Sequence, residues 1–263
     1  RQVYNAAGGY LSICSGIKGY NVTVTNGAQS GLASMAYAMS VLRSGQENAM
    51  LATGSDENSD TMTELFGKLG VTSENVVAPF AGKDGFVLSD GSASVLIEDE
   101  KAARERGARI YCHAAGYGMA HSNVKFGTLT GSEAGLTNAV NNALADAGMT
   151  IDDIDAVFGF ANGMKAVDDV EIKGLTAVFG DKLAEKPVVE LKEVLGESRA
   201  AAATTAAAHA ALMFAGKIPS QEAYSIAADG SVSKTNVEAS KLNNVLVVAY
   251  GAGGSYTAIV LSK

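Results

Sequence analysis

The stretch Val22-Thr23-Val24-Thr25-Asn26-Gly27-Ala28-Gln29-Ser30-Gly31-Leu32-Ala33-Ser34 constrains this chain more than any other. Alternating β-branched residues predict a strand over 21–25, Gly27 a tight turn, and the apolar residues three and four apart a helix over 31–44. A strand, a glycine turn and a helix in that order lift one side chain to a helix N-terminus, where the dipole and free N–H groups activate a nucleophile. The residue at that tip is Ala28. An elbow without a nucleophile points to a scaffold that keeps its substrate-handling geometry and has lost its chemistry, or has handed it to a partner.

The pattern then alternates. Gly45 caps the helix and a buried strand follows over 48–54, a βαβ order that predicts a parallel sheet. Residues 79–91 read as loop, 93–98 as strand, 101–107 as a charged helical turn and 110–117 as strand. A clear amphipathic helix covers 132–147, with Leu136, Ala139, Val140, Ala143 and Leu144 on one face and Gly148 at its end. Strands over 154–160 and 187–191 flank a helix over 169–179. The alanine-rich 200–215 reads as a buried helix whose small side chains permit close packing. Apolar strands over 244–249 and 256–261 are joined by Gly251-Ala252-Gly253-Gly254. The chain opens at Arg1 on a helical stretch over 2–16 with no earlier strand. It is therefore expected to be the C-terminal portion of a longer polypeptide, whose missing N-terminal fragment supplies the opening strands of the first sheet.

No apolar run approaches the roughly 20 residues of a membrane-spanning helix, so neither a membrane segment nor a membrane partner is expected, and a cytoplasmic location is. A formal charge of −8 and a pI near 4.9 argue against a nucleic-acid groove. Cys14 and Cys112 cannot build a disulfide framework and read as small buried hydrophobes. The three histidines, His113, His121 and His209, read as structural or surface residues. No metal site and no cofactor is expected.

Several landmarks fall in order: the elbow; Ala78-Pro79-Phe80 with Asp84-Gly85-Phe86-Val87 and Asp90-Gly91; Ala103-Arg104-Glu105-Arg106-Gly107-Ala108-Arg109-Ile110; Asp168 and Glu171; Lys192 and Gly196; and Gly251 with Gly253-Gly254. In this order and spacing they resemble a β-ketoacyl synthase of the thiolase fold over essentially the whole chain. The resemblance implies an α/β, thiolase-like αβαβα layered fold. Residues 1–100 would hold the end of the N-terminal half and residues 101–263 the C-terminal half.

An active member carries an acyl thioester on a cysteine at the elbow and polarises a malonyl thioester with two histidines. Here the elbow position holds Ala28. The first histidine position falls on Phe160 counting back from Asp168, or on Asn162 counting along the strand. The second falls on Glu197, whose carboxylate opposes charge developing on a carbonyl oxygen. Lys192 matches the family's lysine, free to form a structural salt bridge with Glu197 or Glu171 or to act in catalysis. Ala252 stands where active synthases hold a gating phenylalanine, and Gln29 lies one residue after the cysteine position that many inactive relatives fill with glutamine.

These losses look like the chain length factor, the inactive ketosynthase-like subunit of type II polyketide synthases. The resemblance implies a heterodimer with an active ketosynthase, substrate delivered by an acyl carrier protein, and a tunnel whose bulky residues limit product length by size exclusion. Within 57–69, the tunnel or interface candidates are Met62, Leu65 and Phe66. Two alternatives stand beside it. One is a noncanonical decarboxylase or acyltransferase using Gln29, Asn162 or another nucleophile, and the other is a purely architectural partner subunit.

Overall fold

The computed structural model describes residues 3–76, 78–83, 85–125, 129 and 131–263. Asp84, one of the family landmarks, and Arg1 and Gln2, where the opening helix is expected to begin, lie outside the described residues. In chain order the helices are α1 (Ala6–Ser15), α2 (Ser30–Arg43), α3 (Asp60–Lys68), α4 (Glu100–Glu105), α5 (Glu133–Ala147), α6 (Lys165–Phe179), α7 (Lys192–Leu195) and α8 (Ala200–Phe214). The strands are β1 (Ala49–Asp56), β2 (Gly91–Glu98), β3 (His113–His121), β4 (Ala156–Phe158), β5 (Val188–Val189), β6 (Ser220–Ile226), β7 (Val232–Glu238), β8 (Asn244–Gly251) and β9 (Ser255–Ser262).

β1 and β2 form a two-stranded sheet, and the other strands form a seven-stranded sheet in the order β3-β9-β8-β4-β5-β6-β7. Period-two alternation in β8 and β9 divides the apolar residues between two cores. Val245, Val247, Ala249, Ile259 and Leu261 face α2 and α8, while Leu246, Val248, Tyr250, Tyr256 and Val260 face α5 and α6. The described layers are α5 with α6, the seven-stranded sheet, α2 with α8, and the two-stranded sheet. The far side of that last sheet exposes Ser92, Ser94 and Leu96.

Local sequence explains the central layers. On α5, all five residues of the expected apolar face are buried, Ser132 caps the N-terminus by accepting from the Ala134 N–H, and Gly148 closes the helix with φ 65°. The small residues of α8 let α2 and β1 approach it closely. A Cβ on Gly31 or on Gly54 would stand 2.3 Å from the Ala200 carbonyl oxygen, so only glycine fits at either position.

Several expectations are corrected. The parallel βαβ unit is absent, because residues 21–25 join neither sheet and β1 instead pairs antiparallel with β2. Among the named strands of the described residues, parallel pairing is confined to β4, which takes β8 on one side and β5 on the other. The hairpin of β6 and β7 and the helix α3 were not expected; α3 carries Met62, Leu65 and Phe66 at helical spacing. Cys14 is exposed on α1 and Cys112 is only partly buried. Among the described residues no helix is long and apolar enough to cross a membrane, and no cluster of candidate metal ligands occurs.

Candidate functional site

The elbow forms as a turn into α2. Ser30 Oγ accepts from the Asn26 N–H at 2.7 Å and donates to the Gly27 carbonyl at 2.6 Å, while Gly27 takes φ 65°. This places Ala28 at the mouth of the helix, in a cavity of about 20 Å³ shared with Gly159, Phe160, Leu191, Lys192 and Tyr250. Two of its lining rings, Phe160 and Tyr250, stack at a tilt with centroids 5.7 Å apart. Gln29 faces elsewhere. Its side chain is fully buried, packs near Gly251, and accepts from the Thr257 hydroxyl.

Beside this cavity stands a buried polar network. Lys192 Nζ donates to the Phe160 carbonyl at 3.0 Å and to Glu197 Oε2 at 2.7 Å, and Asn162 Nδ2 donates to the same oxygen at 2.9 Å. Glu197 Oε1 accepts from the Arg199 N–H at 2.8 Å. Burial pushes the Glu197 carboxyl up, but the Lys192 ammonium and these hydrogen bonds outweigh it and hold the group below the ordinary carboxylate range. Glu197 is thus a carboxylate already satisfied by the protein, and it occupies the lysine's charge.

Asp168 and Glu171 organise the backbone underneath. Asp168 accepts from the N–H groups of Phe80, Asn162 and Gly163, at 2.8, 3.0 and 3.2 Å. Its burial outweighs these bonds and raises its carboxyl. Glu171 accepts from the Phe160 N–H at 2.8 Å. Its neighbour is Glu190, which the sequence reading missed. Both carboxyls converge on Gly159, where a Cβ would lie 1.9 Å from Glu190 Oε1 and 2.0 Å from Glu171 Oε1. Two buried carboxyls cannot both ionise at this separation. Burial, followed by the charge of Glu171, drives Glu190 well above its ordinary range, so the pair holds a proton. The available signal was an acidic residue at the end of an apolar strand, two positions before Lys192.

Arg199 was missed as well. It adopts φ 48°, which turns its N–H toward Glu197, and its guanidinium pairs with Asp56 at 2.5 Å and the Glu57 carbonyl at 2.8 Å. Phe80, with φ 63°, is the other non-glycine residue at positive φ among those described, and its N–H serves Asp168. Strained backbone therefore frames the site on two sides.

The remaining candidates lie outside the network. Ala252 is exposed in the β8–β9 turn. Met62, Leu65 and Phe66 lie on α3, which buries none of its residues. Leu65 is exposed, and Phe66 meets Phe86 edge-on at 5.7 Å. None of the three lines the cavity at Ala28. Of the histidines, His209 is half-buried in α8 beside Phe158, and burial lowers its pKa.

Two sheets enclosing a pair of central helices, with an elbow at the start of one of them, define a thiolase-like fold. The family model described as the β-ketoacyl synthase N-terminal domain matches residues 1–103, and that of the C-terminal domain matches residues 111–224. The chain belongs to the β-ketoacyl synthase family. It is 28% identical over 209 residues to 3-oxoacyl-[acyl-carrier-protein] synthase 2 of Coxiella burnetii, covering 76% of this chain and 50% of that protein. It is 29% identical over 270 residues to putative polyketide β-ketoacyl synthase 2 of Streptomyces coelicolor, covering 99% of this chain and 63% of that protein. The solved ishigamide ketosynthase/chain length factor superposes with a TM-score of 0.81 at 25% identity, over 92% of this chain and 60% of that one. The chain thus spans half to two thirds of the length of these relatives.

Proposed function

We propose that this chain is a non-catalytic ketosynthase-like subunit that pairs with an active ketosynthase and shapes the space in which a polyketide chain grows. The observation that carries this reading is the state of the elbow site. Ala28 offers no nucleophile, Phe160 rather than a base lines the small cavity it shares, and Glu197 neutralises Lys192 where a free cation would be needed. A carboxylate fixed in this way cannot stabilise an enolate. The network instead ties 160–162 to 197–199 as a rigid wall.

Similarity to a solved ketosynthase/chain length factor supports a ketosynthase as the partner. Similarity to a 3-oxoacyl-[acyl-carrier-protein] synthase supports a carrier protein as the source of substrate. The apolar residues of α3, Met62, Leu65 and Phe66, are the proposed contribution to the interface or tunnel, since Leu65 presents its side chain to solvent at 48% exposure.

Co-purification with an active ketosynthase, followed by product analysis with Leu65→Trp and Phe66→Ala, tests this reading. The expected result is a stable complex whose product length shifts in the variants. A complex with unchanged product length would favour an architectural subunit, and no complex would refute pairing.

A further inference from the structure

The segment Glu190-Leu191-Lys192-Glu193-Val194-Leu195-Gly196-Glu197 has its polarity inside out. Glu190 and Glu197 are 4% and 5% exposed, whereas Val194 and Leu195 are 78% and 51% exposed. The helix α7 within it buries none of its residues, and Leu191 alone of its apolar side chains packs against a core. Burial of apolar surface, which holds most of the fold, therefore contributes little here. Polar side chains hold the segment instead. Lys192 and Glu197 tie it to Phe160 and Asn162, and Glu193 accepts from the Tyr224 hydroxyl at 2.7 Å and from Lys234 Nζ at 2.6 Å, on β6 and β7. Glu190 makes the remaining attachment, to Glu171 on α6.

The segment borders two cavities. Leu191 and Lys192 line the one of about 20 Å³ at Ala28, and residues 192–197 line a second of about 130 Å³ together with Val76, Val87, Ser89 and Asn162. Lys192 is common to both.

The attachment of Glu190 depends on one proton. The Oε1 atoms of Glu171 and Glu190 lie 2.0 and 1.9 Å from the same point, the position of a Gly159 Cβ, so the two oxygens meet there. Beyond Glu171, neither Glu190 oxygen has a hydrogen-bond partner among the described residues, and β5, which delivers Glu190, is two residues long. The other charged groups that face the pair are Asp168 on α6 and Lys192 on the segment itself. Tyr224 and Lys234, from β6 and β7, are engaged by Glu193, and Lys192 is already held by Glu197. A second negative charge at Gly159 thus stands beside Glu171 and Asp168 with no counter-ion to spare. Glu171 is fixed in the 15-residue α6 and accepts from the Phe160 N–H at 2.8 Å. Glu190, with no such tie, is the one to move.

We infer that residues 190–197 form a strap latched by the proton shared between Glu171 and Glu190. When that proton passes to water, Glu190 swings out to solvent, carries Leu191 and Lys192 with it, and joins the two cavities beside Ala28. Burial and the charge of Glu171 favour the protonated form, so the latch is closed on the acid side and opens as pH rises. The strap does not rest on pairing with a ketosynthase or on the absence of catalysis.

The test is hydrogen exchange at single amides, each rate divided by its intrinsic rate, as pH is raised in steps from 4.5. The N–H groups of Leu195 and Gly196 report the strap, since they donate to the Leu191 and Lys192 carbonyls, and Ala139, Val140 and Ala143 in α5 report global unfolding. In the open strap the Glu190 carboxyl titrates near its ordinary 4.5, and in the closed strap higher. Opening is therefore expected to rise about tenfold per pH unit between the two values, with strap protection falling by that factor and lying below that of α5 throughout. Glu190→Gln keeps the side-chain shape but has no proton to lose, and its strap protection is expected to stay flat. Should that variant not fold, Glu171→Gln, which offers an amide donor to an ionised Glu190, gives the same flat profile. Wild-type strap protection that is independent of pH, that equals α5 protection at every pH, or that falls equally in the variants would overturn the inference.

Discussion

Replacing Lys192 by methionine keeps the bulk of the side chain and removes the charge from the centre of the site. Nζ lies 2.7 Å from Glu197 Oε2, and the two side chains are only 12% and 6% exposed. At an effective dielectric near 20, the attraction at that distance is about 6 kcal/mol before desolvation is subtracted. Removing one partner of such a buried pair costs about 3–5 kcal/mol, because the other charge is left uncompensated. Lys192→Met is therefore expected to lose about 3–5 kcal/mol in urea denaturation at pH 7, and Lys192→Met/Glu197→Gln to recover most of it. The dependence on pH also changes sign. With its folded pKa lowered, Glu197 contributes stability that is present above the ordinary carboxyl value of 4.5 and lost as pH falls through the folded value. Without the ammonium, burial dominates and raises that pKa, so Lys192→Met gains stability on acidification where the wild type loses it. A loss below about 1 kcal/mol, or additive single and double variants, would refute the buried ion pair as the organiser of the site.

Gly159→Ala drives a methyl group into two carboxyl oxygens at 1.9 and 2.0 Å, and is expected to cost about 3 kcal/mol, read from the urea midpoint. Glu190→Gln replaces a group whose folded pKa is raised well above 4.5. The wild type's contribution from this group is complete below 4.5 and is lost as pH rises through the raised value, so the variant is expected to hold its melting temperature better than the wild type as pH rises above 4.5. Equal slopes for the two proteins would remove the shared proton from the account.

Much of this architecture was legible because it is written in local periodicity. The apolar face of α5, its Ser132 and Gly148 caps, and the alternating β8 and β9 follow directly from spacing. The alanine-rich run was read as a buried helix, and its small side chains explain the contact with Gly31 and Gly54. Pairing was not legible. Residues 21–25 have the alternation of a strand, but a strand needs a neighbour, and the described chain offers none at that edge. In the site, the positions of Ala28, Phe160, Asn162, Lys192 and Glu197 emerged from the resemblance, and the structure brings all five into or beside one cavity. Glu190 and Arg199 did not emerge, since neither a shared proton between residues 19 positions apart nor a positive φ at an arginine leaves a periodic trace. Met62, Leu65 and Phe66 could be named as apolar, but sequence alone did not reveal that they sit on an exposed helix.

The most direct test of the proposed role is turnover of malonyl-carrier thioester by this protein alone, by an active ketosynthase alone and by the two together, with Ala28→Cys run beside the wild type. The account predicts no decarboxylation or condensation by this protein in either form, because a restored thiol still faces Phe160 and a lysine neutralised by Glu197, and full turnover only in the complex. Turnover by the wild-type chain without a ketosynthase would contradict it.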